Sequence, residues 1–125
     1  MQKSFETQPK LFIASGSLDH PALHALDGAE EVLNWKELER LMSGIYGRAR
    51  GRPSYPLLTL FRSLLLGLWY RLSDEELSSC LARDLLFRKF CRLELGADIP
   101  DATTLGRFRT KLAQHDLWDI LTSKN

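Results

Sequence analysis

Polar side chains recur at helical spacing near the C-terminal end of the chain. A helix advances by about 100° per residue, so a helix that begins near Asp101 collects five of them on its polar side: Thr103, Arg107, Thr110 and Gln114, with Lys111 on the flank. In a DNA major groove, Arg pairs with guanine and Gln with adenine. Since any solvated helix also presents a polar face, DNA contact and simple solvation both remain open.

A basic segment provides a second candidate site. Arg48, Arg50 and Arg52 alternate with small residues and are followed by Pro53. Arg50-Gly51-Arg52-Pro53 matches the core of an AT-hook, whose arginines enter a narrow minor groove. Basic loops also contact backbone phosphates of any sequence. Minor-groove insertion, phosphate contact and a solvated linker ended by a proline are therefore the three interpretations.

Metal-binding residue types are better explained by local structure. Asp74, Glu75 and Glu76 follow Ser73, and Ser73 with Glu76 has the spacing of a capping box. His20 and His24 are four residues apart, but Pro21 separates them and no third ligand is near. We expect helix capping at the first group, a solvated helix start or loop at the second, and no metal or other cofactor in this chain.

The sequence gives little support for catalysis, secretion or membrane insertion. It contains no glycine-rich phosphate loop, no G-x-S-x-G motif and no Cys or His placed for nucleophilic attack. Cys80 and Cys91 lack C-x-x-C spacing, which favours reduced, packed thiols and a cytoplasmic protein. The N-terminus has no apolar signal-peptide core. The most apolar run, residues 56–70, carries Arg62 and is shorter than the ~20 residues of a membrane span. We expect a non-enzymatic chain that binds neither a membrane nor a small molecule.

Length and charge indicate one domain with a basic second part. A chain of 125 residues suits a single core. Residues 1–47 hold four basic and seven acidic side chains, whereas residues 48–125 hold thirteen basic and nine acidic ones. This asymmetry is in the direction expected of a nucleic-acid partner. We predict an N-terminal arm over residues 1–20, ordered only against a partner or the domain, and a helical domain over residues 21–122.

The first two predicted helices provide the core. Asn34 and Glu37 approximate a capping box, and the face of this helix contains Trp35, Leu38, Leu41 and Met42. Gly44 and Gly47 bracket its end. A central helix is predicted over residues 54–70, with Pro56 in its first turn. Its apolar residues exceed a single stripe, which predicts contacts on two sides: Leu57, Leu58, Leu60, Phe61, Leu64, Leu65, Leu68 and Trp69.

Three further helices are predicted in the C-terminal half. One starts at Ser73 and breaks near Asp84; the next covers residues 85–93, with Arg88, Lys89 and Arg92 mostly outside, and Gly96 ends it. The last is capped by Asp101, buries Leu105, Phe108 and Leu112, and holds Arg109 for an ion pair with Asp101 or Asp84. The prediction is a compact all-α fold whose C-terminal half resembles a helix-turn-helix.

Together, the order and spacing of these motifs resemble the N-terminal, InsH-type domain of bacterial insertion-sequence transposases, over about residues 20–122. The segments that carry the resemblance are Asn34-Trp35-Lys36-Glu37-Leu38, Gly51-Arg52-Pro53, Pro56 with the leucine-rich helix, Leu72-Ser73-Asp74-Glu75-Glu76-Leu77, Phe87-Arg88-Lys89-Phe90 and Ile99-Pro100-Asp101-Ala102-Thr103-Thr104-Leu105-Gly106-Arg107-Phe108-Arg109.

The resemblance implies a domain that binds the terminal inverted repeats of a mobile element and helps to pair its ends. In such a family, an RNase H-like domain with a DDE carboxylate triad and Mg²⁺ performs the chemistry. The chain ends at Asn125 without a β-rich segment for such a triad, so we expect the catalytic domain to be absent from it. The expected partner is double-stranded DNA in the bacterial cytoplasm, associated with the nucleoid. The alternative is a helical dimerisation module, including a truncated product that regulates full-length enzyme.

Overall fold

A computed structural model describes residues 20–46 and 53–119. Its regular structure is helical throughout this part of the chain, which confirms the predicted all-α fold. Apart from His20, the predicted N-terminal arm lies outside the described residues. None of the described helices combines the length and apolar character needed to cross a membrane. The elements are a short 3-10 helix (Pro21–His24), α1 (Asp27–Val32), α2 (Trp35–Tyr46), α3 (Leu57–Tyr70), α4 (Asp74–Arg83), α5 (Leu85–Cys91) and α6 (Ala102–Gln114).

Helix α3 is the centre of the domain, as its wide apolar surface predicts. It packs against α2, α4, α5 and α6, and Leu60, Phe61 and Leu65 are fully buried. The prediction was wrong for Leu68, which is 50% exposed; Trp69 is 37% exposed but keeps a ring contact with Phe90, with ring centres 5.9 Å apart. Leu68 and Trp69 lie in the last turn of α3, so the inward surface ends before the helix does.

The start of α3 also differs from the prediction. Pro56 is the N-cap, and the helix begins at Leu57 instead of residue 54. The proline ring disfavours the α conformation in the residue before it, so Tyr55 cannot easily continue a helix into Pro56. The helix therefore starts just after the proline.

Substitution in the centre of α3 tests this packing. We expect Leu65→Ala to lower the free energy of unfolding by about 2–5 kcal/mol, because it leaves a cavity in a filled core. Leu68→Ala, in the same helix but half exposed, should change it by no more than about 0.5 kcal/mol. Urea denaturation of both variants measures the difference. Similar losses in the two variants would contradict the central position of α3.

The predicted N-terminal caps of α2 and α4 are both present. The Asn34 side-chain oxygen accepts a hydrogen bond from the Glu37 N–H at 3.2 Å. Ser73 and Glu76 form the predicted reciprocal capping box, with distances of 3.1 and 2.9 Å. Both caps satisfy N–H groups that have no partner inside the helix, and they fix where each helix begins.

A buried arginine joins α1 to the core. Arg62, 4% exposed, binds both carboxylate oxygens of Glu30 at 2.5 and 2.9 Å. It also donates to the Phe90 carbonyl at 3.0 Å, and its guanidinium lies 3.9 Å from the centre of the Trp35 ring. Arg92 donates to the same Glu30 carboxylate at 3.1 Å. Glu30 therefore links helix α1, which the sequence did not predict, to the buried Arg62, and a second acid of α1, Asp27, lies 3.8 Å from Lys89.

This arrangement predicts a loss of stability in acid. The hydrogen bonds from Arg62 lower the pKa of Glu30, against the opposing effect of burial. A carboxylate with a lowered folded-state pKa stabilises the fold above its ordinary pKa, here 4.5, and the contribution disappears as pH falls through the folded value. Glu30→Gln should therefore lose stability at neutral pH but show a flatter decline below about pH 4.5. Denaturation at several pH values measures both effects, and an equally steep acid decline in the variant would contradict this assignment.

The break between α4 and α5 lies at Asp84, as predicted. The Asp84 carboxylate caps α5 by accepting hydrogen bonds from the N–H groups of Leu86 and Phe87. The predicted end of α5 was wrong. It ends at Cys91 because Arg92 adopts a left-handed conformation with φ of 63°, and the Leu93 N–H returns to the Arg88 carbonyl. Gly96, also at positive φ, belongs to a later turn.

Two of the three basic residues predicted to lie mostly outside, Arg88 and Lys89, are less exposed than predicted. Arg88 is 9% exposed and donates to the carbonyls of Ala82 and Glu94. Lys89 is half-buried and donates to the Leu23 carbonyl at 2.9 Å, while Arg92 is exposed. The prediction was therefore wrong for Arg88, whose guanidinium satisfies one carbonyl in the last turn of α4 and one after the end of α5.

Candidate functional site

Helix α6 is positioned by its cap and its apolar side. The Asp101 carboxylate accepts the Thr104 N–H at 2.8 Å, and this cap lowers the pKa of Asp101. Leu105, Phe108 and Leu112 are buried, which confirms the predicted inward side. These contacts fix both the start and the rotation of α6 about its axis.

The opposite side of α6 is open to solvent. Over 13 residues, at ~1.5 Å per residue, the helix is about 20 Å long. With Gly106 and Arg109, the outward residues line a shallow open depression. We call this surface the α6 face: Thr103, Arg107, Thr110 and Gln114, all exposed, and Lys111, half-buried on the flank. The structure brings these five predicted residues together, while their role stays a prediction.

The α6 face carries two cations, Arg107 and Lys111, and the charge of Arg107 helps, after the hydrogen bonds from Thr104, to lower the pKa of the capping Asp101 carboxylate. Helix α6 contains no Asp or Glu, and neither Arg107 nor Lys111 forms an ion pair with the described residues. The Lys111 ammonium instead lies 5.7 Å from the centre of the Tyr46 ring. Several cations elsewhere in the described chain are paired with carboxylates: Arg40 with Glu37, Arg62 and Arg92 with Glu30, and Lys89 with Asp27.

Arg109 has a different role at the edge of this face. It forms the predicted ion pair, but its partner is Asp74, and the prediction of Asp101 or Asp84 was wrong. The two guanidinium nitrogens lie 2.8 and 2.7 Å from the two carboxylate oxygens. The hydrogen bonds from Arg109 lower the pKa of Asp74. The pair joins the first turn of α4 to the middle of α6.

Gly106 lies beside this ion pair. A Cβ atom there would lie 3.4 Å from an Asp74 carboxylate oxygen, which is close van der Waals contact. Local spacing gives no sign of the ion pair, because Asp74 and Arg109 are 35 residues apart. An acid in a helix's first turn and an arginine at the edge of an apolar stripe are the only local signals.

The three arginines of the basic segment, Arg48, Arg50 and Arg52, lie outside the described residues. The residues on either side of the segment can be placed. Tyr46 stacks on Phe108 of α6 with ring centres 5.9 Å apart. Tyr55 lies close enough to Asp98 and Asp101 for their charges to help raise its pKa, although burial is the larger cause. The described residues just before and just after the segment 47–52 in the sequence therefore both lie near α6.

The arrangement of α4, α5 and α6 does not decide the helix-turn-helix prediction. Residue 84 alone separates α4 from α5, whereas residues 92–101 separate α5 from α6. A helix-turn-helix has a turn of three or four residues before its second helix. Helix α6 packs on α4, and the helix-turn-helix interpretation stays a prediction.

The other chemically suggestive residues have structural partners. His20 caps the 3-10 helix by accepting the Ala22 N–H, and His24 pairs with Asp27 at 2.9 Å. Cys80 and Cys91 are free thiols, and burial raises the pKa of Cys91 to about 12. Within residues 20–46 and 53–119, no group of three or more His, Cys, Asp or Glu side chains is placed to hold a metal ion.

Comparison with known proteins gives one finding about the family. A family model described as "Transposase domain (DUF772)" matches residues 18–111. The matched region contains every described helix before α6, the first ten residues of α6, the Asp74–Arg109 pair and four of the five residues of the α6 face. No solved structure matches the chain significantly.

Proposed function

The chain belongs to the DUF772 family of transposase domains, and we propose that it is the part of a transposase that binds the terminal inverted repeats of an insertion sequence. The α6 face is the proposed reading surface. The observation that carries this proposal is an exposed helix face with two cations, Arg107 and Lys111, neither of which forms an ion pair with a described carboxylate. Such a face attracts phosphates and leaves hydrogen-bonding side chains available for base edges.

The basic segment extends this surface in the proposal. Tyr46 lies beside Lys111 and Phe108, and Arg48 follows two residues later. Arg48, Arg50 and Arg52 would hold backbone phosphates next to the groove that α6 enters. Phosphate contacts position a protein on DNA, whereas base contacts specify the sequence. We therefore assign affinity mainly to the basic segment and selectivity mainly to α6.

The proposal assigns no catalytic step to this chain. Asp74, Glu76 and Asp84, acids at the helix starts, are engaged in an ion pair or caps. Two-metal phosphoryl transfer needs carboxylates that converge on two ions about 4 Å apart, and the proposal places that chemistry, with Mg²⁺, in a separate catalytic domain. Magnesium-dependent strand cleavage by the purified chain would contradict this division. The proposed setting is the bacterial cytoplasm, at the nucleoid.

Fluorescence anisotropy tests the proposal directly. The chain is titrated against a labelled duplex of the element's repeat end and against a shuffled duplex of equal composition, at salt concentrations from about 50 to 200 mM. We expect tighter binding to the repeat end and an affinity that falls steeply with salt, because each phosphate contact releases counterions. Equal affinity for the two duplexes would contradict sequence recognition. No binding at the lowest salt concentration would contradict DNA binding itself.

A second candidate function, dimerisation, is favoured by one observation. Leu68, Trp69 and Tyr70, at the end of α3, are large apolar side chains with exposures of 50%, 37% and 45%. Trp69 and Tyr70 are held by ring contacts with Phe90 and Phe87. In this alternative, the patch pairs two subunits or lets a truncated product join a full-length enzyme. Sedimentation velocity separates the candidates, because a tight dimer without DNA affinity supports the second alone.

A further inference from the structure

The Asp74–Arg109 ion pair lies beside the α6 face and neutralises a third cation of α6. Arg109 lines the same depression as Arg107 and Lys111, and its side chain is 39% exposed. Both of its terminal nitrogens are engaged by Asp74, whose side chain is 28% exposed. Among the described cations of α6, Arg109 is the one with a carboxylate partner.

Because of this pairing, a DNA phosphate that approaches the edge of the α6 face does not find a free guanidinium at Arg109. A free guanidinium binds a phosphate through two parallel N–H donors. In Arg109, the corresponding donors point to the Asp74 carboxylate, and the carboxylate itself repels an approaching phosphate. The pair is close to neutral as a whole, so this edge should add little to the attraction for DNA.

We propose that Asp74 is a negative determinant of DNA affinity: it occupies Arg109 and so limits binding to phosphates of any sequence. This inference rests on the proposed function of the α6 face. It gives Asp74 a role beyond joining α4 to α6, because removal of the carboxylate would release a cation at the surface. A DNA-binding domain is selective when its affinity for its specific site is much higher than its affinity for other sequences. A lower affinity for phosphates of any sequence therefore increases selectivity.

The neighbouring residues support a direct effect on bound DNA. Gly106 has no side chain to cover the pair, and a Cβ there would already touch an Asp74 oxygen at 3.4 Å. A duplex on the α6 face can therefore approach the pair closely. In the described chain, no second acid pairs with Arg109, so Asp74→Asn leaves the cation without a carboxylate partner.

The test uses the whole chain and a mixed-sequence duplex of about two helical turns. Anisotropy titrations are made for wild type, Asp74→Asn, Arg109→Gln and the double variant from about 50 to 200 mM salt. We expect Asp74→Asn to bind several-fold more tightly at low salt, with a slope of log affinity against log salt that is steeper by about 0.9 for one added phosphate contact. The double variant should return to the wild-type slope.

Arg109→Gln keeps the proposal testable if Asp74→Asn does not fold, as thermal melts of each variant would show. We expect its slope to equal that of wild type, because Arg109 does not contact phosphate in the wild-type chain, while its affinity falls because the uncompensated Asp74 carboxylate repels the duplex. A slope shallower by about 0.9 in Arg109→Gln, or an unchanged slope in folded Asp74→Asn, would overturn the inference and leave the proposed function intact. Absence of duplex binding by wild type would overturn both.

Discussion

Replacing Arg62 by Ala is expected to lower the free energy of unfolding by about 3–5 kcal/mol. Arg62 is 4% exposed and joins α3 to Glu30 of α1 and to the Phe90 carbonyl of α5. Its removal leaves a partly buried carboxylate with Arg92 as its remaining cation and opens a cavity beside Trp35. Urea denaturation at neutral pH measures the loss.

A matched surface pair shows whether burial is the cause. Arg40 forms an ion pair with Glu37 at 2.6 Å, but its side chain is 68% exposed. Arg40→Ala should cost far less than Arg62→Ala, because water screens exposed pairs. Arg62→Lys is not a conservative change here, since one ammonium cannot reproduce the forked contact with both Glu30 oxygens. If Arg62→Ala and Arg40→Ala cost the same, the buried network does not hold α1.

The second large effect is expected at Arg107. Arg107→Ala should weaken binding to repeat-end DNA by about tenfold to a hundredfold, which corresponds to the ~1–3 kcal/mol of one good base contact. Its effect on a shuffled duplex should be smaller, so the preference for the repeat end relaxes. Arg50→Ala should weaken binding to both duplexes alike, because phosphate contacts carry no sequence information.

Arg83 supplies the matched control for Arg107. It is an exposed arginine without an ion pair in the described chain, and it lines a different depression, along α4. Arg83→Ala changes the net charge by the same amount as Arg107→Ala. If the two variants lose equal affinity for the repeat end, general electrostatic attraction explains the binding, and α6 does not read the sequence.

The features that the sequence predicted are mostly local. The caps at Asn34, Ser73 and Asp101 depend on residues three positions apart, and helical spacing alone places Leu105 inward and Arg107 outward on α6. The break at Asp84 is equally local. These interactions form within one turn of helix, so residue types and spacing are sufficient to predict them.

The features that the sequence did not predict depend on distant partners. Glu30 and Arg62 are 32 residues apart, and Asp74 and Arg109 are 35 apart. Arg88 is buried because carbonyls from α4 and from the segment after α5 meet its guanidinium. An isolated arginine in an apolar run, such as Arg62, signals a buried partner, but spacing along the chain cannot identify that partner.

The central claim is that the α6 face contacts DNA. An NMR titration of the ¹⁵N-labelled chain with a repeat-end duplex tests it most directly, because each backbone amide reports its own surroundings. We expect the largest changes at Thr103, Arg107, Thr110 and Gln114, with α1 and the first turns of α2 unaffected. Changes confined to the amides of Leu68, Trp69 and Tyr70, with those of α6 unmoved, would contradict the claim.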